Sequence, residues 1–185
     1  MKKISIIIAT FLTLQAAAQK TTSSTWEIEI DPLAYAFFKG YSGHVSYNTK
    51  NMKYDAGFYG LEVPPSVHGN EGFTEKVKGF GFKTSYLLGN VKGLYTGLGV
   101  GYTTTEARHQ ATSTIATGNS VGVGAHLGYR LFLQKEKDGT RKGLYIAPWV
   151  SVDYNMHLQK VKFENMHYKQ SNWGFFPTVH IGYRF

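Results

Sequence analysis

From Trp26 to the C-terminus, apolar and polar positions alternate with a period of two. Successive side chains of a strand point to opposite faces, so this alternation predicts strands lying between two different environments. Eight are predicted, at residues 26–37, 41–48, 52–63, 77–88, 94–105, 120–133, 144–158 and 173–185. Most are near the ~9–11 residues that cross a bilayer when tilted. Gly-bearing stretches punctuate several of the links, among them Lys39-Gly40, residues 88–93 and Asp138-Gly139. The links 64–76, 106–119 and 159–172 are long, and those after the second and fourth strands are short. Long connections at one end and shorter turns at the other are the asymmetry of an up-and-down membrane barrel. The link after the first strand is very short for its end, and residues 134–143 are longer and more charged than theirs.

Alternation alone does not separate a membrane barrel from a soluble one, because the two are inside-out versions of each other. The contents of the faces decide it. One face carries Ile28, Ile30, Ala56, Phe58, Phe80, Phe82, Tyr86, Leu98, Val100, Val121, Val123, Leu127, Val150 and Val152. The other carries Glu27, Glu29, Asp31, Asp55 and Asp153 against Lys53, Lys83, Arg130 and Arg184, together with His44, His126 and His180. Such near balance is what a narrow, mutually paired interior needs, because unpaired charges there are costly. Gly97, Gly99, Gly101, Gly122, Gly124 and Gly128 share the polar face with Tyr35, Tyr95, Phe132 and Trp149. Small residues opposite large ones fill a small barrel. The Gly97–Gly101 run alternates with Leu98 and Val100 and no helix follows it, so it does not read as a phosphate loop.

The N-terminus carries a different pattern. Lys2 and Lys3 precede an apolar run at residues 4–14, and Ala16-Ala17-Ala18 supplies a small-x-small cleavage pattern. This predicts a secretory signal peptide at 1–18, with one domain over 19–185. The apolar run falls short of the roughly 20 residues a spanning helix needs. The chain contains no Cys, which excludes disulfides, a lipid-modified Cys and Cys-ligated metal. Its net charge is +8, with Lys2 and Lys3 leaving in the signal peptide. Nucleic acid is not the expected partner of an exported chain. Lipopolysaccharide or another surface polyanion fits the basic balance, as does a plain solubilising excess on loops.

The last strand is the most specific stretch. Phe185, Tyr183, Ile181, Val179 and Pro177 share one face, and Arg184, Gly182, His180 and Thr178 the other. A terminal Phe with Tyr two residues earlier and apolar residues continuing the alternation, Val179 and Ile181, resembles the outer-membrane assembly signal. The whole mature region is similar in architecture to the small eight-stranded barrels of the OmpA, OmpX and OmpW kind. The resemblance implies an all-β fold, an antiparallel up-and-down transmembrane β-barrel after a cleaved signal peptide. It also implies the outer membrane of a Gram-negative bacterium, lipids including lipopolysaccharide around a monomer, and the barrel-assembly machinery as partner of the C-terminal strand. It carries over no functional residue, and fold does not settle function.

Three functional readings follow. The first is a non-enzymatic structural or surface-interaction barrel with a plugged polar interior. The second is a lipid A-modifying hydrolase or acyltransferase, for which His44, His126 and His180 share a face with Ser42, Ser46, Ser85, Ser151 and Asp153. The third is a conduit for small hydrophobic molecules. Pro32, Pro148 and Pro177 fall in predicted strands one, seven and eight, neighbours on closure, where they mark either bulges or a lateral seam. No cofactor or metal motif is present; His157, Glu164 and His167 fit no established ligand spacing.

Overall fold

The computed structural model describes residues 24–89, 93–134, 141–164 and 166–185. The signal peptide expected at 1–18 lies outside the described residues. Nine strands form one antiparallel sheet: β1 (Thr25–Ile30), β2 (Tyr41–Asn48), β3 (Met52–Val63), β4 (Phe73–Leu87), β5 (Leu94–His109), β6 (Ile115–Tyr129), β7 (Leu131–Phe132), β8 (Gly143–Gln159) and β9 (Trp173–Arg184). Each pairs with its neighbour in sequence up to β6, β6 and β7 both pair with β8, and β9 returns to β1. The sheet therefore closes on itself, which removes the free edges that an open sheet exposes. β6 and β7 pair with β8 in one continuing register and form a single stave broken at Arg130, so the ring has eight staves, as the alternation predicts.

The first stave departs from expectation. It ends at Ile30, not at 37, and Pro32–Ala36 forms a short helix, α1. Asp31 is its N-cap, accepting the Leu33 N–H at 2.9 Å, and Pro32 stands in the first turn, where the missing N–H costs nothing. Pro32 is thus not a strand residue, and Tyr35 is half exposed on the helix rather than inside the bore. β1 pairs with β9 only through Glu27–Ile30 and with β2 only through Thr25–Glu29. Past those pairs β2 and β9 have no strand between them, and α1 packs against both.

Pro148 and Pro177 do lie in strands, on β8 and β9. The β8–β9 register runs through both unbroken, opposite Val179 and Val150. Alternate residues of an antiparallel strand direct their N–H groups to opposite neighbours. The two prolines share one parity, so their missing donors face away from that ladder. Pro148 faces the β6–β7 break, and Pro177 faces the side that β1 has already left. The register shift in this part of the barrel is at Asn119/Ser120 instead.

The upper strands are longer than the alternation indicates. β4, β5 and β6 extend to Phe73, His109 and Ile115, shortening the links to 64–72 and 110–114. Both faces there are polar or mixed, as in Thr74, Glu75 and Lys76, so hydrophobic period gives no signal while the backbone ladder continues. A four-residue helix, α2 (Pro65–His68), sits in the first of these links.

The two faces have opposite solvation from a soluble protein. Val45, Ala56, Phe82, Val100, Val123, Tyr154 and Trp173 follow one another around the wall through successive strand pairs, and all are exposed. Phe80, Leu98, Leu127, Val152, Phe175 and Ile181 extend that surface. The residues sealed from solvent include Glu27, Glu29, Asp31, Lys53, Asp55, His126, Arg130 and His180. The Val179, Ile181, Tyr183 and Phe185 side of β9 belongs to the outer surface, and the Phe185 N–H closes onto the Trp26 carbonyl at 3.0 Å.

Candidate functional site

The inward positions of β1, β3, β8 and β9 converge on a buried ionic network. Glu27 is its hub. It accepts from Arg130 Nη1 at 2.8 Å, Arg184 Nε at 2.6 Å and the Tyr145 hydroxyl at 3.0 Å, with Lys53 Nζ at 3.3 Å. Glu29, two residues on and on the same face, is ion-paired to Lys53, shares the single Tyr145 O–H with Glu27 at 2.7 Å, and accepts from His180 Nδ1 at 2.8 Å. A carboxylate can only accept, so each oxygen needs donors brought from other strands.

A second cluster stands further from the termini. Asp55 accepts from Ser46 Oγ at 2.7 Å and faces His44 Nδ1 at 3.0 Å and Lys83 Nζ at 3.3 Å. Lys83 also lies over the Trp149 ring at 4.4 Å, and Arg184 over Phe132 at 4.7 Å, so aromatic faces share the excess cationic charge. His126 meets Ser85 Oγ at 2.8 Å and packs between Tyr95 and Trp149. What space remains among Glu29, Lys53, Asp55, Lys83, Tyr95 and His180 is a cavity of about 10 Å³. That holds about one water molecule.

Of the twelve residues expected in the interior network, ten meet here. Asp31 is buried on the same side of the wall, but its bonds go to the α1 cap and to Thr178 Oγ1 at 2.7 Å. Asp153 bonds Ser151 at 2.6 Å, higher in the bore than the ion pairs. Sequence reasoning passed over Tyr145 and Asn48, and placed Ser46 on the polar face without its Asp55 partner. Tyr145 is fully buried and bridges Glu27 to Glu29, and Asn48 accepts from Arg130 at 3.2 Å. Their inward parity on β8 and β2 was the available signal; their partners were not, since they stand up to 118 residues away in the chain.

At the end far from the termini, residues 160–164 and 166–172 lean across the mouth. Phe163 and Tyr168 pack on Phe73, which also touches His109. Asn70 bonds Lys169 twice, through its amide nitrogen to the carbonyl at 3.0 Å and its oxygen to the N–H at 2.8 Å. The Tyr168 hydroxyl donates to Glu75. Burial and the Glu75 carboxylate beside it push the phenol well above its ordinary range.

Among known proteins, no family model matches the chain and no curated protein matches it.

Proposed function

We propose that this chain is a membrane-spanning barrel of the bacterial outer membrane, closed along its bore by the ionic network and acting through its outer wall and far-end loops. The observation that carries this reading is the inversion of the two faces. Monomeric soluble proteins rarely expose contiguous apolar patches beyond a few hundred Å². Here an apolar belt circles the wall while the charges are sealed inside. Along β4 and the residue that follows it the outward apolar positions run from Phe80, below Lys78, to Leu88, a rise of about 27 Å along the chain and about 21 Å along the axis at ~40° of tilt, close to the ~25 Å apolar band of a membrane barrel. Trp26, Tyr41, Trp173, Tyr183 and Phe185 on its exposed surface suit the interfacial girdles.

Lipids, including lipopolysaccharide, then form the solvent of the wall. The outward Val179, Ile181, Tyr183 and Phe185 are the surface offered to assembly machinery before β9 closes on β1. Refolding into vesicles tests the reading. Brominated acyl chains should quench Trp26 and Trp173, and planar-bilayer recording should show no steady conductance. A large, steady conductance would overturn the plugged bore, and unquenched tryptophans would overturn the belt.

A further inference from the structure

Three inward residues on β2 and β3 stand in an order that the ionic plug does not require. Ser42 Oγ lies 3.3 Å from His44 Nε2, and His44 Nδ1 lies 3.0 Å from Asp55 Oδ1. Asp55 has only acceptor oxygens, so the shared proton sits on His44 Nδ1 and leaves Nε2 as the acceptor facing the serine hydroxyl. That is a nucleophile, a base and an orienting acid within hydrogen-bond reach. Asp55 is itself fixed by Ser46 and Lys83. The Ser85–His126 pair differs, since among the described residues no carboxylate bonds the other His126 nitrogen.

The position of Ser42 is as telling as its partners. It lies beyond the last β1–β2 pair, Glu29 with His44, beside the stretch of wall where α1 replaces a strand. The Tyr35 hydroxyl reaches in from α1 to the Ser42 carbonyl at 3.2 Å. A strand residue directs its N–H and C=O to the same side, so the Ser42 N–H also faces the break, beside its own Oγ. Exposed Tyr35, Phe37, Tyr41 and Phe175 surround the break, and the Lys39–Glu62 ion pair follows immediately on the loop side. An acyl chain lying along the apolar wall would thus bring the ester that joins it to a polar headgroup to the level of Ser42.

We infer that Ser42, His44 and Asp55 form an acyl-hydrolase site for the ester of a membrane lipid, reached sideways through the break between β2 and β9 as α1 moves aside. This rests on the reading of the belt as lipid-facing. Ser42 Oγ attacks the ester carbonyl while its proton passes to His44 Nε2. The Ser42 N–H faces the carbonyl oxygen as it gains charge. The ester C–O bond breaks, and the leaving alkoxide takes the proton from Nε2 and departs as the alcohol. A water then gives its proton to His44 and attacks the acyl-Ser42 carbonyl. The Ser42 Oγ leaves with that proton, and the fatty acid is released. Ester and water enter; alcohol and acid leave.

The test uses the mature barrel refolded both in detergent micelles and in phosphatidylglycerol vesicles. A fluorophosphonate probe reports the nucleophile by peptide mass mapping, and released fatty acid reports turnover. The expected result is labelling at Ser42 and fatty-acid release, both lowered at least about 100-fold in Ser42→Ala and unchanged in Ser85→Ala. Heat-modifiable gel mobility shows that each variant is folded. Folded protein with neither label nor released acid in micelles overturns the site, as does Ser42→Ala that labels and turns over like the parent. Bromolipid quenching on the same vesicle samples reads the membrane placement separately. Activity in micelles without quenching in vesicles would therefore fault the belt and keep the site.

Discussion

Glu27→Gln is the sharpest probe of the closed bore. It removes one charge and no volume. Glu27 is 0 % exposed, and the Arg130 and Lys53 side chains that face it are 5 % and 4 % exposed. These cations cannot turn to water when the carboxylate is neutralised. Breaking a buried pair by removing one partner costs about 3–5 kcal/mol, because the other charge stays buried and uncompensated. Each cation keeps another hydrogen-bond or ion-pair partner: Arg130 has Asn48, Lys53 has Glu29, and Arg184 has the Arg141 carbonyl at 3.3 Å. The expected loss is therefore at the lower end, about 3 kcal/mol. With a urea slope of about 1–3 kcal/mol/M, the unfolding midpoint read by tryptophan fluorescence should fall by about 1–3 M. Adding Arg130→Met should recover part of the loss, since it removes one of the stranded cations. The Lys39–Glu62 pair is the control: the Lys39 side chain is 80 % exposed, so Lys39→Ala should change stability by less than about 0.5 kcal/mol. A Glu27→Gln barrel within 1 kcal/mol of the parent would mean that water reaches the cations, and the plug would be refuted.

Phe82→Arg, on the exposed wall, should cost about 2–4 kcal/mol in vesicles and little in a water-facing protein; an unchanged vesicle midpoint would argue against a lipid-facing Phe82. Gly182→Ala should destabilise by about 1–3 kcal/mol, because a methyl group there meets the Tyr145 ring held by Glu27 and Glu29. Gly101→Ala meets the Phe80 carbonyl at 3.3 Å and the Gly81 Cα at 3.8 Å, and should be much milder by the same urea titration. At the mouth, the raised Tyr168 ionisation means that the folded loop holds its proton more tightly than the free chain does. Its contribution is complete below about pH 10, the unfolded value, and is lost as pH rises above that. Protease nicking of residues 160–172 should rise with alkaline pH more steeply in the parent than in Tyr168→Phe, and parallel profiles would contradict the Tyr168–Glu75 bond.

Strand count and sidedness were legible because each inward or outward choice is local. Val100 and Gly101 declare opposite faces whatever their neighbours in space are. Strand ends were less legible where hydrophobic contrast fades, as at Phe73–Lys76, because a ladder bond needs no apolar side chain. The first stave was misjudged for another reason. Its alternation runs on through Tyr35 and Phe37, whereas Asp31-Pro32 is a helix start of cap followed by proline. That local signal wins because β1 gains no further partner once it leaves β9 at Ile30.

The sequence by itself determined which residues of the strands face inward, though not Tyr35 on α1, and hence that five acids and four bases share a bore with three histidines. Only the tertiary structure decided which of them meet. Closure brings β1 against β9 and so places Glu27 beside Arg184, 157 residues away, and Arg130 beside both. It also separates chemically similar groups: His180 joins the plug, His126 bonds Ser85 with no carboxylate beside it among the described residues, and His44 falls between Ser42 and Asp55 where α1 replaces a strand. Side-chain parity is a property of the chain, readable two residues at a time. Pairing across a barrel depends on register, curvature and where a stave stops, and those are settled only when the ring closes.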